Sequence, residues 1–273
     1  MSKTRPTPGR GEARRLLAPL SDLASAAGAR IVEIAAQGAP ARSKADRSPV
    51  TAADEAAESI LCDGLARLLP GVPIIAEEAM SRSGAERPQG SYLLVDPVDG
   101  TRELIAGRGE YTVNVALIEA GTPALGVVYA PALHALYAGA EGAAMLAKVA
   151  PGARFDASTA APIHTRPRPA QLLALVSRSH PDPESDAFLA RLPLERKVPL
   201  GSSLKFARLA EGAADVYARF ASVNEWDIAA GHALLTAAGG TVTATDGGTM
   251  IYGKRDSGFR VDGFIAWGGA PEG

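Results

Sequence analysis

Carboxylates stand beside turn-forming residues at four separated places in this chain. Asp54 opens one helical stretch, Glu77 and Glu78 follow "VPIIA", Asp96 and Asp99 close "YLLVDPVDGTREL", and Asp227 opens "WDIAAGHALL". Tyr92 to Val95 reads as a buried strand, where an unpaired carboxylate would cost roughly several kcal/mol unless a positive charge met it. Hard oxygen ligands without Cys or His partners suit Mg²⁺, or Mn²⁺, better than zinc. The Gly and Pro of "DPVDGT" let the backbone turn tightly enough for Asp96, Asp99 and a carbonyl between them to face one ion. Such a cluster suits displacement at phosphorus, which needs an activated water and neutralisation of the leaving oxygen. The amides of Gly100 and Thr101, at a helix start, would face a phosphate oxygen, and an adjacent carboxylate would take a proton from a water held at Thr101. An aspartyl-phosphatase mechanism is set aside, because its two aspartates lie two residues apart, whereas Asp96 and Asp99 are three apart with Pro97 between. Taken singly, each carboxylate also has an ordinary reading: Asp54 as an exposed helix residue, Asp227 as a charge favoured by the helix dipole, Asp99 as a turn aspartate. Their coincidence points to a site.

A second phosphate would need donors and cations away from that cluster. The later half of the chain offers Ser179 and His180 in "SRSH", Ser202 and Lys205 in "GSSLK", and Arg219 in "YARF". Ser202 and Lys205 are three apart, so a helix start would turn both to one face, with Lys205 a point charge for phosphate. Lys205 and Arg219 also read as solvated helix charges, and His180 as a strand end before Pro181. Trp226 reads as a packing anchor, His232 as structural, and His134 and His164 take no role.

The elements that must position these residues follow from periodicity. "LLAPLSDLASAAGARIVEIAAQG" and "TAADEAAESILCDGLARLLPG" read as amphipathic helices, joined by a turn-rich, mobile "GAPARSKADRSPV". "VPIIAEE", "SYLLVDPVDG", "YTVNVALIEAG", "PALGVVYAP" and "HALYAGAEG" read as strands of a largely antiparallel sheet. Beyond a Pro-rich connection, "APIHTRPRPAQ", helices and strands alternate to the C-terminus, with a soft boundary near residues 160–168. The resulting division is a mobile tail over 1–14, an α+β metal-binding part over 15–165, and an α/β substrate-binding part over 166–273.

The 273 residues carry 28 basic and 30 acidic side chains, a formal charge of -2, so no global field points to nucleic acid. The single cysteine, Cys62, excludes an internal disulfide and reads as core, consistent with a cytoplasmic protein. No apolar run reaches the roughly 18 residues of a membrane span.

In combination, "IIAEE", "VDPVDGTREL" and "WDIAAGHALLTAAGG" resemble the lithium-sensitive, magnesium-dependent phosphatases of the inositol monophosphatase superfamily, from about residue 15 to the C-terminus. "SPVTAADEAAE", "GEYTVNVALIEAGTPALGVVYAP", "SRSH", "GSSLKFARLAEG" and "YARF" look more narrowly like its CysQ-type branch, the 3'(2'),5'-bisphosphate nucleotidases. The resemblance implies a mixed α/β fold, a layered αβαβα sandwich of the sugar-phosphatase type with a smaller C-terminal α/β part. It implies two or three Mg²⁺ ions on Glu77, Asp96, the carbonyl of Val98, Asp99 and Asp227, with Asp54 joining a weaker site. Thr101, paired with Asp54 or Glu77, would orient the attacking water. Gly100, Thr101, Asp227, Ser179, His180, Ser202, Lys205 and Arg219 would contact the substrate, the last five holding a 5'-phosphate and adenosine. The implied reaction converts adenosine 3',5'-bisphosphate to AMP and phosphate. Ala76 departs from the Ser or Gly common before the Glu pair, a small change. An inositol or sugar phosphatase, and a phosphate-binding regulator without catalysis, stay open, as do a homodimer and a peripheral place at the cytoplasmic face of the inner membrane.

Overall fold

A computed structural model of the chain describes residues 12–38, 42–43, 49–83, 88, 90–254 and 257–269. The expected tail therefore lies outside the described residues up to residue 11, as does most of the expected loop over 39–48. Helix α1 (Glu12–Ala36) begins three residues before the expected start. Its buried Leu17, Leu20, Ala24, Ala27, Ile31 and Ile34 recur at three- and four-residue steps, which lines one face with apolar surface. A small antiparallel ribbon, β1 (Arg42–Ser43) and β2 (Pro49–Val50), leads into α2 (Ala52–Leu68). Gly64 lets α1 and α2 approach: a Cβ there would stand 2.2 Å from a methyl of Leu23.

The first sheet has seven strands in the order β3 (Ile74–Ala76), β4 (Tyr92–Asp99), β5 (Thr112–Glu119), β6 (Thr122–Ala130), β7 (Ala135–Ala140), β8 (Ala143–Lys148) and β9 (Ala161–Ile163). All its pairs are antiparallel except β3 with β4. Strand β9 lies within the Pro-rich stretch expected as a plain connection, and β8, built from "AAMLAK", lacks the β-branched residues that signal a strand. Short helices α3 (Glu77–Ser83) and α4 (Thr101–Ile105) follow β3 and β4.

The second sheet is five-stranded and takes up the chain after residue 171. It contains β10 (Leu172–Ser177), β11 (Leu194–Leu200), β12 (Val216–Arg219), β14 (Thr241–Thr243) and β16 (Phe264–Trp267), in the order β11-β10-β12-β16-β14. Between these strands run α5 (Pro183–Leu189), α6 (Leu204–Ala210) and α7 (Glu225–Ala237), and a second ribbon pairs β13 (Val223–Asn224) with β15 (Arg260–Val261).

Three apolar cores separate the layers. One joins α1 and α2 to the first sheet, one fills the space between the sheets around α6 and α7, and one lies between the second sheet and α5. The stack is thus αβαβα, the layered mixed α/β sandwich expected from the sequence. Helix α7 is apolar on nearly every side, as a helix enclosed between two sheets must be. Its approach to the first sheet depends on Gly126 and Gly139: a Cβ on Gly126 would stand 2.1 Å from the carbonyl oxygen of Ala230, and one on Gly139 2.9 Å from Leu234 Cα. By chain order α7 belongs to the second half of the molecule, yet it packs on the first sheet and carries Asp227 toward the end of β4. Among the described residues no helix is long and apolar enough to cross a membrane.

Candidate active site

The tight turn expected at "DPVDGT" is instead a continuation of β4. Asp96 pairs with Asn114 and Asp99 with Thr112, so β4 has one more residue than β5 over this interval. The extra residue is a bulge, which re-aims side chains at a sheet margin. Pro97, without an N–H, suits a place where the ladder is broken. The Val98 N–H donates to Asp96 Oδ1 at 3.0 Å, which ties the Asp96 side chain to the bulge. Gly100 then caps α4 with φ at +96°, in the left-handed region that a side chain disfavours.

Thr101 completes a hydrogen-bonded chain that begins at the start of α2. Thr51 caps that helix, and its N–H and Oγ1 donate to Asp54 Oδ2 at 2.8 and 2.6 Å. Asp54 Oδ1 lies 3.0 Å from Thr101 Oγ1, which is also 3.2 Å from the Val98 carbonyl oxygen. Asp54 is 1% exposed, so the reading of it as an exposed helix residue gives way to a buried support behind Thr101. Of its two expected partners, Thr101 is paired with Asp54.

Asp99 faces the second half of the chain. Its Oδ2 accepts from the Ser203 N–H at 2.5 Å, and Ser203 Oγ meets Asn114 Oδ1 and Thr112 Oγ1 at 2.7 and 2.8 Å. Asp227, in the first turn of α7 where the helix dipole favours a negative charge, accepts the Asn224 N–H at 2.9 Å. Glu77 opens α3 and stands beside Asp96, whose pKa it raises. That turn is held from α2, where Glu58 Oε2 accepts the Glu78 N–H at 2.7 Å, an anchor that nothing in the local sequence signals.

Glu77, Asp96, Asp99 and Asp227 line one cavity of about 300 Å³ together with Val98, Gly100 and Thr101. Burial is the main cause that raises the pKa of Asp96, and Glu77, Asp99 and Asp227 add repulsion. Burial also pushes Asp99 up to about 6, although Lys205 and the Ser203 amide pull the other way. Asp227 is raised by burial and then by Asp99 and Glu77. Burial thus disfavours the ionised form of these carboxylates, with mutual repulsion adding to it, and a bound cation would relieve both. Its donors are carboxylate and carbonyl oxygens, the chemistry that hard divalent ions take. Among the described residues no three His, Cys, Asp or Glu side chains are already closed into a metal-ready group. The donor set fits magnesium in kind.

The same cavity gathers cations, with four departures from expectation. Ser202 precedes α6 with φ at +51°, and Ser203 is the capping residue, so Ser202 and Lys205 do not share a helix face. Lys205 instead reaches back: its Nζ donates to the carbonyls of Ser202 and Leu200 at 2.6 and 3.2 Å and lies 5.0 Å from the Tyr217 ring centroid. It is 4% exposed, not a solvated charge, and burial lowers its pKa to about 8 against the pull of Asp99. Ser179 turns to Glu103, to which its Oγ donates, and its carbonyl accepts from Arg102 at 3.2 Å. It supports the loop from outside the cavity lining, whereas His180 lines the cavity, its pKa lowered by desolvation and by Arg102 and Arg219. Arg219 ends strand β12, not a helix, and its Nε is buried without a hydrogen-bond partner among the described residues. Arg102 and Arg260 also line the cavity and were not singled out from the sequence. Arg102 adjoins the recognised "DGT", but Arg260 lies in "GFRVDG", which has no distinguishing local pattern.

The residues given no role stay apart from the chemistry. Trp226 is 6% exposed and packs near Phe259, as an anchor would. His232 Nδ1 lies 2.9 Å from the buried Tyr252 hydroxyl.

Residues 12–261 match the inositol monophosphatase family. The chain is 44% identical to the 3'(2'),5'-bisphosphate nucleotidase CysQ of Escherichia coli K12 over 223 residues, which cover 80% of this chain and 87% of that protein. It is 30% identical to the protein of the same name from Aggregatibacter actinomycetemcomitans over 244 residues, 89% of each chain. The crystal structure of CysQ from Bacteroides thetaiotaomicron, described as a bacterial member of the inositol monophosphatase family, superposes with a TM-score of 0.77 at 32% identity, covering 93% of this chain and 97% of that one. An inositol monophosphatase from Anabaena superposes with a TM-score of 0.71 at 25% identity, over 94% and 91% of the two chains.

Proposed function

The chain belongs to the inositol monophosphatase family, and from that premise we propose that it is a magnesium-dependent phosphatase that removes the 3'-phosphate of adenosine 3',5'-bisphosphate, leaving AMP. The observation that carries this reading is a single cavity lined both by Glu77, Asp96, Asp99 and Asp227 and by Lys205, Arg219 and His180. A substrate with a reacting phosphate and a second anion matches that combination of acidic and basic groups. Glu77, Asp96, the Val98 carbonyl, Asp99 and Asp227 would hold two or three Mg²⁺ ions. The bound ions supply charge neutralisation on the phosphoryl group and acidification of the attacking water.

The chain's own residues account for the proton. Thr101 Oγ1, donating to Asp54, accepts a hydrogen bond from the incoming water and so points the water's lone pair at phosphorus. As the water oxygen bonds to phosphorus and the bond to the 3'-oxygen breaks, one water proton moves to Thr101 while Thr101 passes its own to Asp54. The Thr51 donors hold Asp54 in place through its other oxygen. The departing 3'-oxygen takes a proton from solvent, which completes AMP and phosphate. Gly100 and Thr101 line the cavity in which the phosphoryl oxygens would lie.

The test is a phosphate-release panel with adenosine 3',5'-bisphosphate, 3'-AMP and inositol 1-phosphate, each in Mg²⁺ and in EDTA. Release from the bisphosphate, well above the other two and abolished by EDTA, is expected. Preference for inositol 1-phosphate would move the protein to the sugar-phosphatase side of the family, and bisphosphate binding without release in Mg²⁺ would make it a binder.

A further inference from the structure

Arg260 is the cavity-lining cation that neither the motifs nor the mechanism above uses. It stands on ribbon strand β15, cross-strand from Asn224, which caps the helix carrying Asp227. Its Nε donates to Ser222 Oγ at 3.1 Å. Among the described residues this is the anchor of the guanidinium, and the terminal nitrogens are left for a ligand. A guanidinium fixed at Nε and open at both terminal nitrogens presents the fork that suits phosphate.

The ribbon is held by a buried carboxylate. Glu225, 0% exposed, accepts the N–H groups of Gly253 and Lys254 at 2.8 and 2.9 Å, and its own N–H donates to the Phe259 carbonyl at 2.8 Å. Satisfied by backbone donors, it fixes the segment that delivers Arg260 against the first turn of α7. Lys205 shows the complementary pattern: two of its three donors are already committed to carbonyls.

We propose that Arg260, together with Arg219, grips the remote anionic group of the substrate, and that Lys205 chiefly sets the charge of the cavity. This rests on the bisphosphate reading above. Arg219 lines the cavity from the end of β12, where one terminal nitrogen donates to the His180 carbonyl at 3.4 Å, and Arg260 lines it from the ribbon. Together they supply a planar donor pair for one phosphate.

The experiment measures kcat/KM of the full chain for adenosine 3',5'-bisphosphate and for 3'-AMP, with Arg260→Gln, Arg260→Lys and the remote control Arg196→Gln. Arg196 sits exposed on β11, and its replacement removes the same unit of charge. Arg260→Gln should lower kcat/KM for the bisphosphate about ten-fold, mainly through KM, with 3'-AMP and the melting temperature unchanged. Arg260→Lys should restore only part of the loss, because a point charge cannot form the fork, and Arg196→Gln should leave both substrates unaltered. Equal losses on both substrates, no loss on either, or the same loss in the control would overturn the assignment. If the wild-type chain itself fails to prefer the bisphosphate over 3'-AMP, the function reading fails, a result distinct from a wild-type preference that survives Arg260→Gln.

Discussion

Replacing Thr101 by Val removes one hydroxyl and little else, which makes it a direct measure of the proton path. Valine keeps the shape, so the first turn of α4 and the bulge before it should persist. The structural cost is confined to Asp54 Oδ1 and the Val98 carbonyl, which lie 3.0 and 3.2 Å from the lost oxygen. One hydroxyl proton cannot satisfy both acceptors at once, so the variant forfeits about one hydrogen bond, and a buried acceptor left unpaired costs about 1–3 kcal/mol. Asp54 retains both donors from Thr51, so the helix cap stays intact. The kinetic cost should be larger, because positioned proton transfer contributes roughly 10²–10⁴-fold. The assay is kcat for adenosine 3',5'-bisphosphate at saturating Mg²⁺, with urea unfolding in parallel and Thr101→Ser as the variant that restores the hydroxyl. The expected result is a fall of at least about a hundred-fold for Val and recovery to within about ten-fold of wild type for Ser, at a stability loss of about 1–3 kcal/mol for Val. A folded Thr101→Val enzyme within a few-fold of wild type would refute the role of Thr101 and, with it, the path to Asp54.

Asp96→Asn should abolish turnover while leaving the fold intact, and in EDTA it should melt no lower than wild type, since it removes one charge from a mutually repelling group; added Mg²⁺ should then raise the melting temperature of wild type more than that of the variant. Lys205→Met should lower stability by about 3 kcal/mol, because it strips the counter-charge from buried Asp99 and two donors from buried carbonyls. It should also slow hydrolysis of the bisphosphate and of 3'-AMP alike, and a loss confined to the bisphosphate at full stability would return Lys205 to the role of a simple phosphate ligand. His232 is buried neutral beside Tyr252, with its pKa lowered to about 4. The unfolded chain therefore binds a proton near pH 6.5 that the folded chain refuses until about pH 4, so this group's contribution is full above pH 6.5 and declines as pH falls toward 4, by at most about 3 kcal/mol. Unfolding curves of wild type and His232→Gln across that window should converge as pH falls, and parallel curves would exclude the linkage.

How much of this could be read from the chain divides along one line, between what a side chain does locally and what packing places beside it. The helices α1, α2 and α7 and the strands β4 to β7 announce themselves by period and turn residues. Strand β8 does not, because "AAMLAK" lacks the bulk that marks a pleated surface and becomes a strand through its neighbours β7 and β9. Lys205 could not be seen as buried, since its enclosure depends on Tyr217 and on carbonyls fixed by the left-handed turn at Ser202. Arg260 could not be seen at all, because a two-residue ribbon and a buried glutamate 35 positions earlier bring it to the cavity. Asp54, Asp96 and Asp227 each combine a local hydrogen bond with a place in the site, which the ordinary readings of single residues did not include. Asp54 accepts from the capping Thr51 on Oδ2 and meets Thr101 with Oδ1; Asp227 accepts from the capping Asn224 on Oδ2; Asp96 takes the Val98 amide on Oδ1. In each case the local hydrogen bond fixes the carboxylate's rotamer with one oxygen, and the second oxygen is thereby aimed by the backbone and not by a flexible side chain. A cluster of like charges needs such anchoring, because without it mutual repulsion would turn the carboxylates outward to water. The capping motif is thus the means by which the sequence holds the site, and Thr51→Val, which removes one of the two donors to Asp54 Oδ2, should lower kcat through Asp54 although Thr51 itself lies outside the cavity lining.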